Sequence, residues 1–223
     1  MATHDEVLSN AQDESDLVDN GQDEASLITT GPRGKYNSRE YFRSFFTTYE
    51  ILIATILGVV GGFISTLVPF DLLVKTWYPL MGGTQLISGH HVLWLVLAFG
   101  VTRKKLAMFW TAMAKGLIAF LLGSQTGILE VFVCEYEAFF IAVALLLLEH
   151  TREKDTTFGW ALAASLGNMT QVPFFWILTG KIYIFNWTLL VLAIMFAFVS
   201  GAIIAGVLSK KIVNRLQSSG LIP

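Results

Sequence analysis

Long apolar runs, free or nearly free of charge, dominate this sequence and recur six times: 51–70, 87–101, 106–122, 128–148, 158–179 and 185–208. About 20 such residues cross the hydrocarbon of a bilayer as a helix. Inside lipid every backbone N–H and C=O needs an internal partner, which leaves helices or closed barrels as the only spanning forms. Runs of this length point to helices. The expected fold is therefore all-α, a polytopic bundle of six transmembrane helices. Composition agrees, with 54% hydrophobic residues and 14% charged ones, against a usual charged share of roughly 25%.

Charge divides the chain further. Residues 1–30 carry eight acids and no Lys or Arg, without an apolar period; this leader is expected to be disordered and solvated. An acidic start is not the basic front of a signal peptide, so the leader is expected to stay on the mature chain. Residues 31–50 alternate Arg33, Lys35, Arg39 and Arg43 with Tyr36, Tyr41, Phe42, Phe45 and Phe46, which reads as a basic, aromatic juxtamembrane segment. The transmembrane domain is expected over 51–208 and an amphipathic tail over 209–223. Lys and Arg then fix orientation. With both termini cytoplasmic, twelve fall on inner segments, only Lys75 and Lys181 fall outside, and Lys115 lies within a run.

Several function classes drop out. A single cysteine excludes a disulfide framework or a multi-cysteine metal site. Fifteen basic and 17 acidic residues argue against a nucleic-acid partner. No phosphate-cradling G-x-x-x-x-G-K-[ST] run, H-E-x-x-H or G-x-S-x-G is present. The chain is thus expected to be no enzyme, and no cofactor is expected on it.

Ionisable residues inside spans are the positive signal, because charge in hydrocarbon is costly unless it meets a partner or water. Lys115 and Glu135 each lie ten residues from Gln125, the middle of the turn between the third and fourth runs. Both are thus about 15 Å below that turn. Glu137 is slightly deeper and shares a helix face with Glu130, seven residues earlier. Gln171 and Asn168 in the fifth run and Trp94 in the second reach a similar level. One reading is a structural ion pair of Lys115 with Glu135 or Glu137, plus interhelical amide bonds. The other is a pocket with excess negative charge, suited to a small polar or cationic ligand stacked on Trp94. His91, beside His90, joins the binding candidates; its alternative is an interfacial histidine. Pro173 is expected to bend the fifth helix near the same depth.

Small residues form a second pattern. Ala54, Gly58 and Gly62 recur at spacing four, and Gly201 and Ala205 repeat that spacing in the sixth run. Such strips let another helix approach closely, either within this bundle or on a separate subunit.

The segments 94–97, 121–127 (Leu-Leu-Gly-Ser-Gln-Thr-Gly) and 200–210 (Ser-Gly-Ala-Ile-Ile-Ala-Gly-Val-Leu-Ser-Lys), in this order along the six runs, resemble the membrane-embedded substrate-binding (S) subunits of energy-coupling-factor (ECF) transporters. The resemblance extends over roughly 82–220. It is nearest the YkoE-like family linked to thiamine or its hydroxymethylpyrimidine precursor. It implies a six-helix subunit that captures a vitamin-like small molecule from outside. It also implies docking, through strips such as Ala54/Gly58/Gly62, on a transmembrane T component with two cytoplasmic ATPases, which use the ATP. This chain departs from that pattern in placing its acids in the fourth run, not the third. A stand-alone secondary transporter and a non-transport membrane scaffold are the alternative readings.

Overall fold

A computed structural model describes residues 47–67, 83–124, 126–153, 155–178 and 187–222. By internal contacts the chain divides into Met1–Phe46 and Thr47–Pro223, and the description below concerns the second unit. The acidic leader, residues 31–46 of the basic-aromatic segment, Lys75, Lys181, Gln125 and Lys154 lie outside the described residues.

The described residues are all-helical. α1 (Thr48–Leu67), α2 (Gly89–Thr102), α3 (Lys105–Leu121), α4 (Leu129–Leu147) and α5 (Thr157–Leu178) are followed by α6 (Trp187–Ser200), a π-helical segment (Gly201–Val207) and α7 (Leu208–Ser218). The last three form one rod, Trp187–Ser218. The boundary expected at residue 208 is therefore no break in the helix. Among the described residues three helices are long and apolar enough to cross a membrane: Thr48–Leu67, Thr157–Leu178 and Trp187–Ser218.

Local chemistry explains the ends. α1 starts three residues before its apolar run because Thr47 and Glu50 form a reciprocal cap: the Glu50 N–H donates to Thr47 Oγ1 and the Thr47 N–H to Glu50 Oε2. The turn between α3 and α4 places Gly123 and Gly127 at φ 80° and 58°, a region open to glycine at little cost. There the Ser124 N–H reaches back to the Ala119 carbonyl, closing α3 in the manner of a left-handed cap. α5 runs through Pro173 as one helix.

α2 sits at the centre. It contacts α1, α3, α4, α5, α7 and the π-helical segment, and Leu95 through Gly100 are all buried. A helix apolar all round belongs inside a bundle, which accounts for its 14-residue length. The outer helices turn apolar side chains outward instead: Leu52, Ile56, Val60 and Phe63 on α1, and Val191, Met195 and Ile203 on the last rod, are exposed.

The basic segments gather at one end of the bundle. Arg103 pairs with Asp155 at 2.9 Å, Lys104 with Glu50 at 2.7 Å, and Lys105 with Glu149. This basic end fixes depth for everything that follows.

The small-residue strips face inward. A Cβ added at Gly58 would fall 2.7 Å from Ala114 Cβ and from the Thr111 carbonyl, and one at Gly62 would fall 2.8 Å from Ile118 Cβ. Thr111 Oγ1 donates to the Ala54 carbonyl at 3.0 Å. Ala54, Gly58 and Gly62 are thus packed on α3 of the same chain, the first of the two readings that their spacing left open. Gly201 likewise lies against Ala164, Ser165 and Asn168 of α5, and Ala205 is buried. Without a hydrophobic drive between helices in lipid, close backbone approach of this kind is what holds them together.

Candidate functional site

Measured along each helix from the basic end, polar groups from four helices and the rod reach one level. Lys115 is ten residues from the start of α3, and Glu137 ten from the end of α4. Asn168 is eleven from the start of α5 and His91 eleven from the end of α2. At 1.5 Å per residue all four lie about 15–17 Å from the basic end. Ser200, ten residues from Lys210 of that end, completes the layer.

Its first part surrounds Lys115, which is only 1% exposed. The Nζ donates to Cys134 Sγ at 3.2 Å. Glu137, Glu130 and His91 lie within its electrostatic reach. Cys134 and Glu137 share one face of α4, three residues apart. Glu137 is 1% exposed, and its Oε2 is a buried acceptor without a hydrogen-bond partner. Trp94, one turn below His91 on the central helix, packs its ring over Gly61, whose added Cβ would fall 2.7 Å from Cγ. Trp94 Nε1 is also buried without a partner. An acceptor and a donor on two contacting helices, α4 and α2, therefore stand unsatisfied, a costly state for buried polar groups.

The second part is fully bonded. Asn168 Nδ2 donates to Ser88 Oγ at 2.9 Å and to the Ala197 carbonyl at 2.7 Å. Gln171 Nε2 donates to Asn168 Oδ1, and the Gly89 N–H donates to Ser200 Oγ at 2.9 Å. This network ties the start of α2 to α5 and α6 halfway through the bundle. The two parts meet where Gly167 approaches the Glu137 carbonyl, its added Cβ 3.2 Å away. Asn168→Ala should therefore lower stability by about 1–2 kcal/mol, read as a reduced thermal midpoint of the detergent-purified protein.

The sequence candidates thus divide. Lys115, Glu137 and His91 come together, Trp94 lies one turn away, and Asn168 with Gln171 forms the adjoining amide network. Glu135 does not join them: it is partly exposed and has no hydrogen-bond or ion-pair partner among the described residues. Two residues separate it from Glu137, which turns it about 200° around α4. Cys134, Ser88 and Ser200 were not singled out by sequence. Cys134 was findable from its i, i+3 relation to Glu137; the two serines carry no local signal. Beside the layer Tyr136 stacks on Phe174 with ring centroids 4.0 Å apart.

The comparisons with known proteins bear on this arrangement. A crystal structure of an S-component of an ECF transporter superposes with a TM-score of 0.68 at 19% identity, covering 78% of this chain and 87% of that one. That likeness shows the fold. No curated protein matches the sequence. The family model for the permease component of ABC-type cobalt transport systems matches residues 49–170, more than half of the chain. The apolar helices, the S-component fold and this match together identify a multi-pass membrane protein of the transport class, and the chain belongs to the family of ABC-type cobalt transport system permease components.

Proposed function

We propose that this chain is the substrate-binding subunit of an ECF-type importer and that its ligand is thiamine or the hydroxymethylpyrimidine precursor of thiamine. In this reading the chain crosses the bilayer six times with the basic end and both termini in the cytoplasm. It captures ligand from outside, and a T component with two ATPases supplies the energy.

One observation supports the choice of ligand: on two contacting helices Glu137 Oε2, an acceptor, and Trp94 Nε1, a donor, are each buried without a partner. An aminopyrimidine offers the complement, an exocyclic amine to give and ring nitrogens to receive. Its flat ring suits aromatic neighbours. The family's description names cobalt. A cobalt ion asks for a set of imidazole, thiolate or carboxylate donors. Among the described residues no three His, Cys, Asp or Glu converge in that way, and the Lys115 ammonium stands against the one thiol. Both features favour an organic ligand.

Calorimetry on the purified chain tests the reading. Thiamine or hydroxymethylpyrimidine should bind with submicromolar affinity, without partner subunits. Stoichiometric Co²⁺ binding with no heat from either organic ligand would overturn it.

A further inference from the structure

We propose that the basic end of the bundle carries a built site for the phosphate of an anionic phospholipid, formed by Lys210, Arg103 and Trp160. Lys210 is only 8% exposed, and its Nζ stands 4.7 Å from the centroid of the Trp160 ring. Arg103 brings its Cζ to 5.8 Å of the same ring. Trp160 is 1% exposed and is wedged against Gly100, whose added Cβ would fall 2.6 Å from Cη2.

Charges around this indole do not balance. Each cation is drawn to the ring face, but the two repel one another. Asp155 answers Arg103, and Glu50 and Glu149 are taken by Lys104 and Lys105. Lys210 has no ion-pair partner among the described residues. Trp160 Nε1 is a buried donor without an acceptor. Asp155 acts on Lys210 as well but is bonded to Arg103, so one carboxylate serves two cations; a phosphate oxygen supplies the second negative charge and an acceptor for the buried N–H.

Depth selects a lipid over other anions. Lys210 lies ten residues along the rod from Ser200, about 15 Å from the polar layer. Half of a hydrocarbon core of about 30 Å ends at that distance, so the site stands at headgroup level. Inward of it on the same rod, Ile203 is exposed, apolar surface for an acyl chain. Lys211 and Arg215, exposed on α7, add attraction for anionic headgroups.

The test is independent of the substrate reading, because it measures lipid only. The full chain in neutral detergent is mixed with phosphatidylglycerol, phosphatidylcholine or inorganic phosphate, and retained lipid is counted by native mass spectrometry beside the thermal midpoint. Phosphatidylglycerol should be retained and should raise the midpoint. Lys210→Gln should cut its retention at least fivefold, and Trp160→Phe, which keeps an aromatic face but removes the indole N–H, about twofold or more. Phe132→Leu, exposed near the start of α4 and far from this end, should change it less than twofold, and phosphatidylcholine should be indifferent to all three. Lys210→Met repeats the measurement if the glutamine variant does not fold. Wild-type retention in the Lys210 variants, or equal stabilisation by inorganic phosphate alone, would overturn the lipid site.

Discussion

Glu137→Gln is expected to weaken binding of the aminopyrimidine ligand by roughly 10- to 100-fold while leaving the stability of the unliganded protein nearly unchanged. The two halves of this expectation have separate causes. A hydrogen bond from a ligand amine to a charged, buried carboxylate contributes about 1.5–3 kcal/mol, and each 1.4 kcal/mol is tenfold in affinity. The amide keeps the shape and one acceptor but loses the charge, so most of that contribution goes. Stability changes little because two effects oppose: Oε2 has no hydrogen-bond partner in the unliganded protein, but its carboxylate lies within electrostatic reach of the buried Lys115, whose own bond goes to Cys134 at 3.2 Å. Removing an unsatisfied buried carboxylate relieves a desolvation cost, and leaving a buried cation without that neighbour adds one. Titration calorimetry and thermal unfolding of the same preparations read both effects. Glu135→Gln, at a partly exposed position on another face of α4, should change affinity less than threefold. If Glu137→Gln binds as wild type does, or loses affinity only by unfolding, the site is misplaced.

The level of the site was legible because helical rise is fixed. Counting residues from the turns put Lys115 and Glu135 at one depth, Glu137 slightly deeper and Gln171 with Asn168 at a similar level. Azimuth was harder. Lys115 was paired in expectation with Glu135 or Glu137, and only neighbouring helices decide between side chains about 200° apart; Glu137 faces the bundle and Glu135 does not. The helices were readable to within a few residues except at the end of the last, which runs ten residues past 208 to Ser218; the central place of α2 was not, since a helix apolar on every side has no period that points to a partner. The bonds of Asn168 to Ser88 and to Ala197 join residues 80 and 29 positions apart, so no local pattern could announce them. The strips of small residues carried a true message with an open address. They announced close approach, and tertiary structure supplied the partner, α3 for Ala54, Gly58 and Gly62 and α5 for Gly201.

That address makes Gly58→Leu a test of folding more than of docking. The first added carbon would fall 2.7 Å from the Thr111 carbonyl and 3.1 Å from the Lys115 nitrogen. These are backbone atoms of α3 and cannot swing aside as a flexible side chain would. The whole leucine therefore requires α1 and α3 to separate, breaking the bond from Thr111 Oγ1 to the Ala54 carbonyl. Overpacking of a core usually costs about 1–3 kcal/mol; a clash with backbone along a helix pair belongs at the top of that range or beyond it. The expected result is loss of monodisperse protein on size exclusion, or a thermal midpoint too low to measure binding. Gly58→Ala is the graded form. It should fold with reduced stability and bind ligand more weakly, because the same contact positions Lys115 beside Cys134 and Glu137. Ile56→Leu, on the exposed face of α1, should match wild type in both respects. A monodisperse Gly58→Leu protein of wild-type stability would show that the strip is not held by α3, and the face would then be open to another subunit after all.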